Sequence, residues 1–87
     1  MPYRVEFTPA ARKSFLALPS DVQRRIQRKV DPLAMNPRPP GMEVLTDGEG
    51  RVRIRVGDYR VVYRIDDGVL MVLIVRIGHR REVYRKP

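Results

Sequence analysis

The stretch RVRIRVGDYRVVYRI, residues 51–65, leaves this chain few folding choices. Apolar and polar side chains alternate with a period of two, the signature of strands half buried against a core. Gly57-Asp58 interrupts the alternation as a two-residue hairpin turn, with Gly where positive φ is needed. So short a turn fixes the register. Val56 faces Tyr59, Arg55 faces Arg60, Arg53 faces Val62 and Arg51 faces Arg64. Side chains alternate across a strand, so Arg51, Arg53, Arg55, Arg60 and Arg64 share one face. Val52, Ile54, Val56, Tyr59, Val61, Tyr63 and Ile65 share the other, which is a core face in need of a cover. VLMVLIVRI, residues 69–77, reads as a further strand, and parity adds its Arg76 to the arginine face. Asp66-Asp67-Gly68 reads as a three-residue hairpin loop with Gly in the left-handed conformation.

The cover lies in the N-terminal half. YRVEF alternates and reads as a first strand, with Tyr3, Val5 and Phe7 on one face. Thr8 is a good N-cap with Pro9 at the first helical position, and Ala11, Phe15 and Leu18 form an apolar stripe at helical spacing. Pro19 ends that helix. Ser20 is expected to cap a second, in which Val22, Ile26, Val30 and Leu33 recur at steps of four, four and three. Pro32 removes a hydrogen bond and crowds the preceding turn, so this helix should kink or stop near Val30, with a loose turn after it. NPRPPG, residues 36–41, reads as a stiff irregular loop. The expectation is one α+β domain over 1–87, β-α-α-β-β-β, with a helical hairpin on a mostly antiparallel sheet.

The chain of 87 residues has no Cys. That excludes a disulfide scaffold and a zinc finger. No run reaches the ~18 apolar residues of a membrane helix, and MPYRVEF lacks the apolar core of a signal peptide. A cytoplasmic protein with no membrane partner is expected. The net charge of +8 is uneven: residues 1–50 hold eight basic and six acidic side chains, residues 51–87 ten and four. Such an excess points to a polyanionic partner. Arg outnumbers Lys fifteen to three, which favours planar bidentate contacts to phosphate or carboxylate. Like charges opposed on a sheet cost roughly 0.2–1 kcal/mol per pair. No carboxylate within the strands of residues 51–77 lies on the arginine face. A merely solvated face would mix both signs, so an anion site explains the bias better.

The last strand runs into VRIGHRREVYRKP, residues 75–87, which holds the only histidine and five of the eighteen basic residues. Gly78 is expected to end the strand, so that His79, Arg80 and Arg81 emerge beside Arg60 and Arg76. Tyr84 would return to the same region. Arginines supply fixed charge for a phosphate, a tyrosine a stacking surface or a hydroxyl, and a histidine a group that titrates near neutrality. Together they favour a phosphate site on RNA or DNA.

These residues also carry a family resemblance. YRVEFTPAARKSFLALP, NPRPPG, RVRIRVGDYRVVYRIDD and VLMVLIVRIGHRREVY resemble the toxins of RelE-type modules in the RelE/ParE toxin–antitoxin superfamily. The most specific parts are GDYRVVY and GHRREVY, in that order and spacing. The resemblance implies a curved, mostly antiparallel sheet under a helical hairpin. It implies a metal-independent, cofactor-free endoribonuclease that cleaves mRNA in the ribosomal A site. A 2′-OH would attack the adjacent phosphate and leave a 2′,3′-cyclic phosphate. It implies an acidic antitoxin as the partner that blocks the toxin. By position, Arg60, Arg80 and Tyr84 match the family's catalytic residues, and Arg53 and Arg55 match two basic positions that are lysines in well-studied members. Arginine keeps its proton at ordinary pH, so Arg53 and Arg55 can bind phosphate but not act as general base. That leaves His79 as a candidate base, and Arg51, Arg64, Arg76 and Arg81 as further phosphate contacts. Two rivals share these features: a ParE-like gyrase poison, and a non-catalytic basic module that binds nucleic acid or an acidic peptide.

Overall fold

The structure is a computed structural model that describes residues 2–46 and 48–79. Eight elements follow in order: strand β1 (Arg4–Phe7), helix α1 (Pro9–Leu16), helix α2 (Ser20–Val30), a 3₁₀ turn (Asp31–Ala34), and strands β2 (Glu43–Val44), β3 (Arg51–Val56), β4 (Tyr59–Asp66) and β5 (Met71–His79). The strands form one open sheet in the order β1-β5-β4-β3-β2. β1 runs parallel to β5, and the other pairs are antiparallel. No helix is long and apolar enough to cross a membrane.

The β3–β4 hairpin has the expected register, from Val56 opposite Tyr59 to Arg51 opposite Arg64. Gly57 takes φ +60 in its turn, and the Arg25 side chain lies where a Cβ would stand. Val52, Ile54, Val56, Val61 and Tyr63 are buried. Val22, Ile26 and Val30 of α2, Leu33 after it, Ala11 of α1 and Val72, Ile74 and Ile77 of β5 complete that core. Each Val, Ile or Leu side chain so buried is worth about 1.5–3 kcal/mol relative to exposure. The sheet needs all of them, because a domain this small has a modest core.

The helices begin differently. Thr8 caps α1, its hydroxyl accepting from the Ala11 N–H at 3.1 Å. At α2 the cap position belongs to Pro19, not Ser20, and no side chain caps it. The Pro19 carbonyl opens the hydrogen-bond ladder by accepting from Gln23 N. The Gln23 side chain is drawn away to the Leu18 carbonyl at 2.9 Å, closing the end of α1. Pro32 does stop the α-helix at Val30. The turn that follows is ordered rather than loose: it is 3₁₀, and it buries Leu33 completely.

Three further expectations need correction. β2, only two residues long, was not legible, because Glu43-Val44 is too short to show a period. It pairs with β3, Glu43 opposite Arg53 and Val44 opposite Val52. The β4–β5 loop has four residues, not three, because Asp66 pairs with Met71. Its left-handed residue is Leu70 at φ 55, not Gly68. The Asp66 carboxylate accepts from the N–H groups of Gly68 and Val69 and shapes the loop. The Leu70 carbonyl accepts from Arg4 N, so β1 holds the uncommon backbone in place. Finally, Gly78 does not end β5. It is buried within the strand, directly opposite Arg60.

Candidate functional site

Strand alternation puts Arg51, Arg53, Arg55, Arg60 and Arg64 on the sheet face away from the helices. Arg76 joins them opposite Val62, one residue before a bulge in the β4–β5 ladder. Equivalent in sequence, these arginines are not equivalent in structure. Arg60 is 5% exposed. The Arg53 side chain is 17% exposed and the Arg64 side chain 48%. Arg55 and Arg76 are exposed. Val62, between Arg53 and Arg76, is 2% exposed on this same face, as expected where arginine stems lie over an apolar neighbour.

The face is not free of carboxylates, as the strand pattern suggested. The Arg53 guanidinium reaches Glu43 Oε1 through Nη2 at 2.6 Å and through Nε at 2.7 Å. Arg64 reaches Glu49 at 3.2 Å. Both acids come from the segment before β3, where β2 was unseen. On the same face Arg55 stands directly opposite Arg60. Burying a guanidinium beside a second one is expensive unless its donors are satisfied. Among the described residues no buried side-chain nitrogen or oxygen lacks a partner. Gly78, opposite Arg60 on the other flank, offers no side chain to compete for the space.

A cleft of ≈ 670 Å³ opens beside these residues. Its charged lining is Arg53, Arg55 and Arg60 from the sheet, Arg28 and Lys29 from the last turn of α2, and Glu43. Its stiff wall is Pro39, Pro40 and Gly41, with Pro32 behind. Pro40 and Gly41 form the centre of a turn that closes with Met42 N donating to the Pro39 carbonyl at 3.1 Å. Gly41 at φ +88 and a proline before it are the type II pattern. Two contacts hold this loop. The buried Tyr63 hydroxyl donates to the Pro37 carbonyl at 2.7 Å. Arg38 grips Asp67 with two hydrogen bonds, at 2.7 and 3.2 Å. Arg38 and the Tyr3 hydroxyl hold the Asp67 carboxyl down at about 2, and burial pushes the Tyr63 phenol up to about 12.

His79 stands elsewhere. It pairs with Tyr59 on the helix-side face, with ring centroids 5.6 Å apart and edge-on. The alternation that carries Arg60 to one side of the sheet carries His79 to the other. Arg80, Arg81 and Tyr84 lie outside the described residues. The strand pattern overlooked Arg28 and Lys29, while NPRPPG reads as a stiff loop without being placed at the site. Their one sequence signal is that Arg24-Arg25 and Arg28-Lys29 repeat at helical spacing, off the Val22-Ile26-Val30 stripe.

Comparison with known proteins agrees in fold and length. The family described as the ParE toxin of the type II toxin–antitoxin system, parDE, matches residues 5–84. Toxin RelE of Mycobacterium tuberculosis is 39% identical over 85 residues, covering 97% of this chain and 88% of that protein. Toxin RelG of the same organism is 34% identical over 87 residues, covering 99% and 100%. The crystal structure of the toxin–antitoxin complex RelBE2 from Mycobacterium tuberculosis superposes with a TM-score of 0.81 at 33% identity. It covers 92% of this chain and 100% of that one.

Proposed function

From the premise that this chain belongs to the ParE toxin family, as a RelE-type toxin of a type II toxin–antitoxin system, we propose that it is a ribosome-dependent mRNA endoribonuclease acting in the cytoplasm. One observation carries this reading: Arg60, buried to 5% exposure, lines a cleft together with Arg53 and Arg55. In the proposed reaction a ribose 2′-OH in the A-site codon attacks the adjacent phosphate. The P–O5′ bond breaks, leaving a 2′,3′-cyclic phosphate and a free 5′-OH. The phosphate gains charge on the way to its five-coordinate state, and fixed cations lower that barrier most where water is excluded. Arg60 meets that requirement best, with Arg80 as its second cation. Arg53 and Arg55 bind the backbone, with Arg51, Arg64, Arg76 and Arg81 outside them, and Tyr84 orients the nucleotide. The proposed reaction uses no metal. His79, on the other face, is given no proton; Tyr84 or a ribosomal RNA group takes it. An acidic antitoxin is the proposed inhibitor, in keeping with the toxin–antitoxin complex that RelBE2 forms.

The family description also names parDE, which keeps gyrase poisoning as the second reading. Primer extension on mRNA in a purified translation system separates the two, with wild type beside Arg80→Ala and the same RNA without ribosomes. Ribosome-dependent cuts within A-site codons, lost in Arg80→Ala, are expected. A folded wild type that makes no cut overturns the ribonuclease and leaves gyrase inhibition to be assayed.

A further inference from the structure

The strand arginines occupy only one side of the cleft. Continuing the register in which Glu43 faces Arg53 would set Gly41 opposite Arg55. The chain does not continue it. At Gly41, φ +88 turns the backbone away from β3, and a Cβ there would meet nothing within 4 Å. Glycine is needed at this place for its backbone, not for room. The result is a gap at the edge of β3, beyond the end of β2. In a two-residue hairpin the closing pair, Val56–Tyr59, is hydrogen-bonded, so the next residue on β3 turns its N–H and C=O away from β4. That residue is Arg55. The gap thus has an outward main-chain edge on one side and the proline turn on the other. Arg28 and Lys29 of α2 line the same cleft. Glu43, the one carboxylate lining it among the described residues, is occupied by Arg53.

Resting on the ribonuclease reading, we propose that Arg28 and Lys29 hold a second backbone phosphate of the bound RNA strand. The strand would pass from Arg60 over the edge of β3 at Arg55, between the sheet and the Pro39–Gly41 turn. The chemistry recognised is a phosphodiester, one linkage or two from the scissile one. The turn acts as a rigid stop, because Pro39 and Pro40 restrict its backbone. A purely structural role for the pair also exists, since cations near a helix C-terminus offset the helix dipole. That role would change stability alone.

A double-mutant cycle distinguishes them. mRNAs with one uncharged methylphosphonate linkage, placed in turn at each position flanking the scissile bond, are loaded on ribosomes. The half-saturating toxin concentration is then compared for wild type and Arg28→Ala/Lys29→Ala. For wild type, one flanking linkage should raise it about tenfold when neutralised, as a lost charge-assisted contact does. The double variant should lose the same factor on native mRNA, and no more on that neutral linkage. Losses that multiply to about a hundredfold overturn the proposal, as does a wild type indifferent to every flanking linkage. A wild type that cuts no mRNA on ribosomes overturns the ribonuclease reading itself, and this one with it.

Discussion

Among the arginines, position 60 is where burial and the proposed function pull in opposite directions. Its charge is 5% exposed and stands across from Arg55. Replacing it with an apolar side chain of similar length removes the desolvation cost of a buried charge and relieves a like-charge pair. Arg60→Met is therefore expected to keep or raise the melting temperature while A-site cleavage falls by about 10²–10³, the usual cost of one transition-state contact. A variant that melts well below wild type would make Arg60 a structural residue. Arg60→Lys keeps the charge but not the planar fork, so it should recover only part of the rate. His79 supplies the contrast. With its ring against Tyr59 on the helix side, His79→Gln should leave the single-turnover rate unchanged. A flat pH–rate profile in that variant where wild type shows a slope would restore His79 to proton transfer.

At the level of elements, the loop between α2 and β2 is the part with the most to lose. It has no regular hydrogen-bond ladder, so Tyr63 and the Arg38–Asp67 pair hold it. Tyr63→Phe leaves the buried Pro37 carbonyl without its donor, a cost of about 1–3 kcal/mol at neutral pH. The same variant should be less sensitive to alkali. With its folded pKa raised to about 12, Tyr63 contributes stability that is present below the unfolded value near 10. That contribution disappears as pH rises through 12, because the unfolded phenol ionises first. Chemical denaturation from pH 9 to 12 should thus show a drop in wild type that Tyr63→Phe flattens. Asp67 has the opposite sign. Its folded pKa, lowered to about 2, gives stability above the unfolded value that disappears as pH falls through about 2. Asp67→Asn should remove that part of the acid limb, read from melting temperatures between pH 5 and 2. Neither contact was legible in the sequence, since Pro37 and Tyr63 lie 26 residues apart and no local pattern joins them. The hairpin register was fully legible, because a two-residue turn and period two leave one solution. The arginine face followed from it. The gradient of burial along that face did not, because it depends on β2, on the proline turn and on Gly78, each set by tertiary context.

For the whole molecule, the charge of +8 ties stability to the partner. A domain of this size has a small margin, and Arg51–Arg64 and Arg55–Arg60 stand as directly opposed cations within it. An acidic antitoxin laid over such a surface would act in two ways. It would be steered to the toxin by long-range attraction, so the association rate should fall steeply as salt shortens the Debye length from about 10 Å at 0.1 M to about 3 Å at 1 M. It would also stabilise the folded toxin by mass action, by about 4 kcal/mol when free antitoxin is a thousandfold above Kd. For a domain of 60–100 residues each kcal/mol is worth about 4–8 °C, so the complex should melt some 15–30 °C above the toxin alone. Stopped-flow binding from 50 mM to 1 M salt, beside thermal unfolding at fixed excess of antitoxin, checks both. An association rate that ignores salt would mean that the partner docks on an apolar surface and leaves the arginine face bare. A melting temperature that does not move under saturating antitoxin would mean that it binds without holding the fold. Either result would separate inhibition of this toxin from neutralisation of its charge.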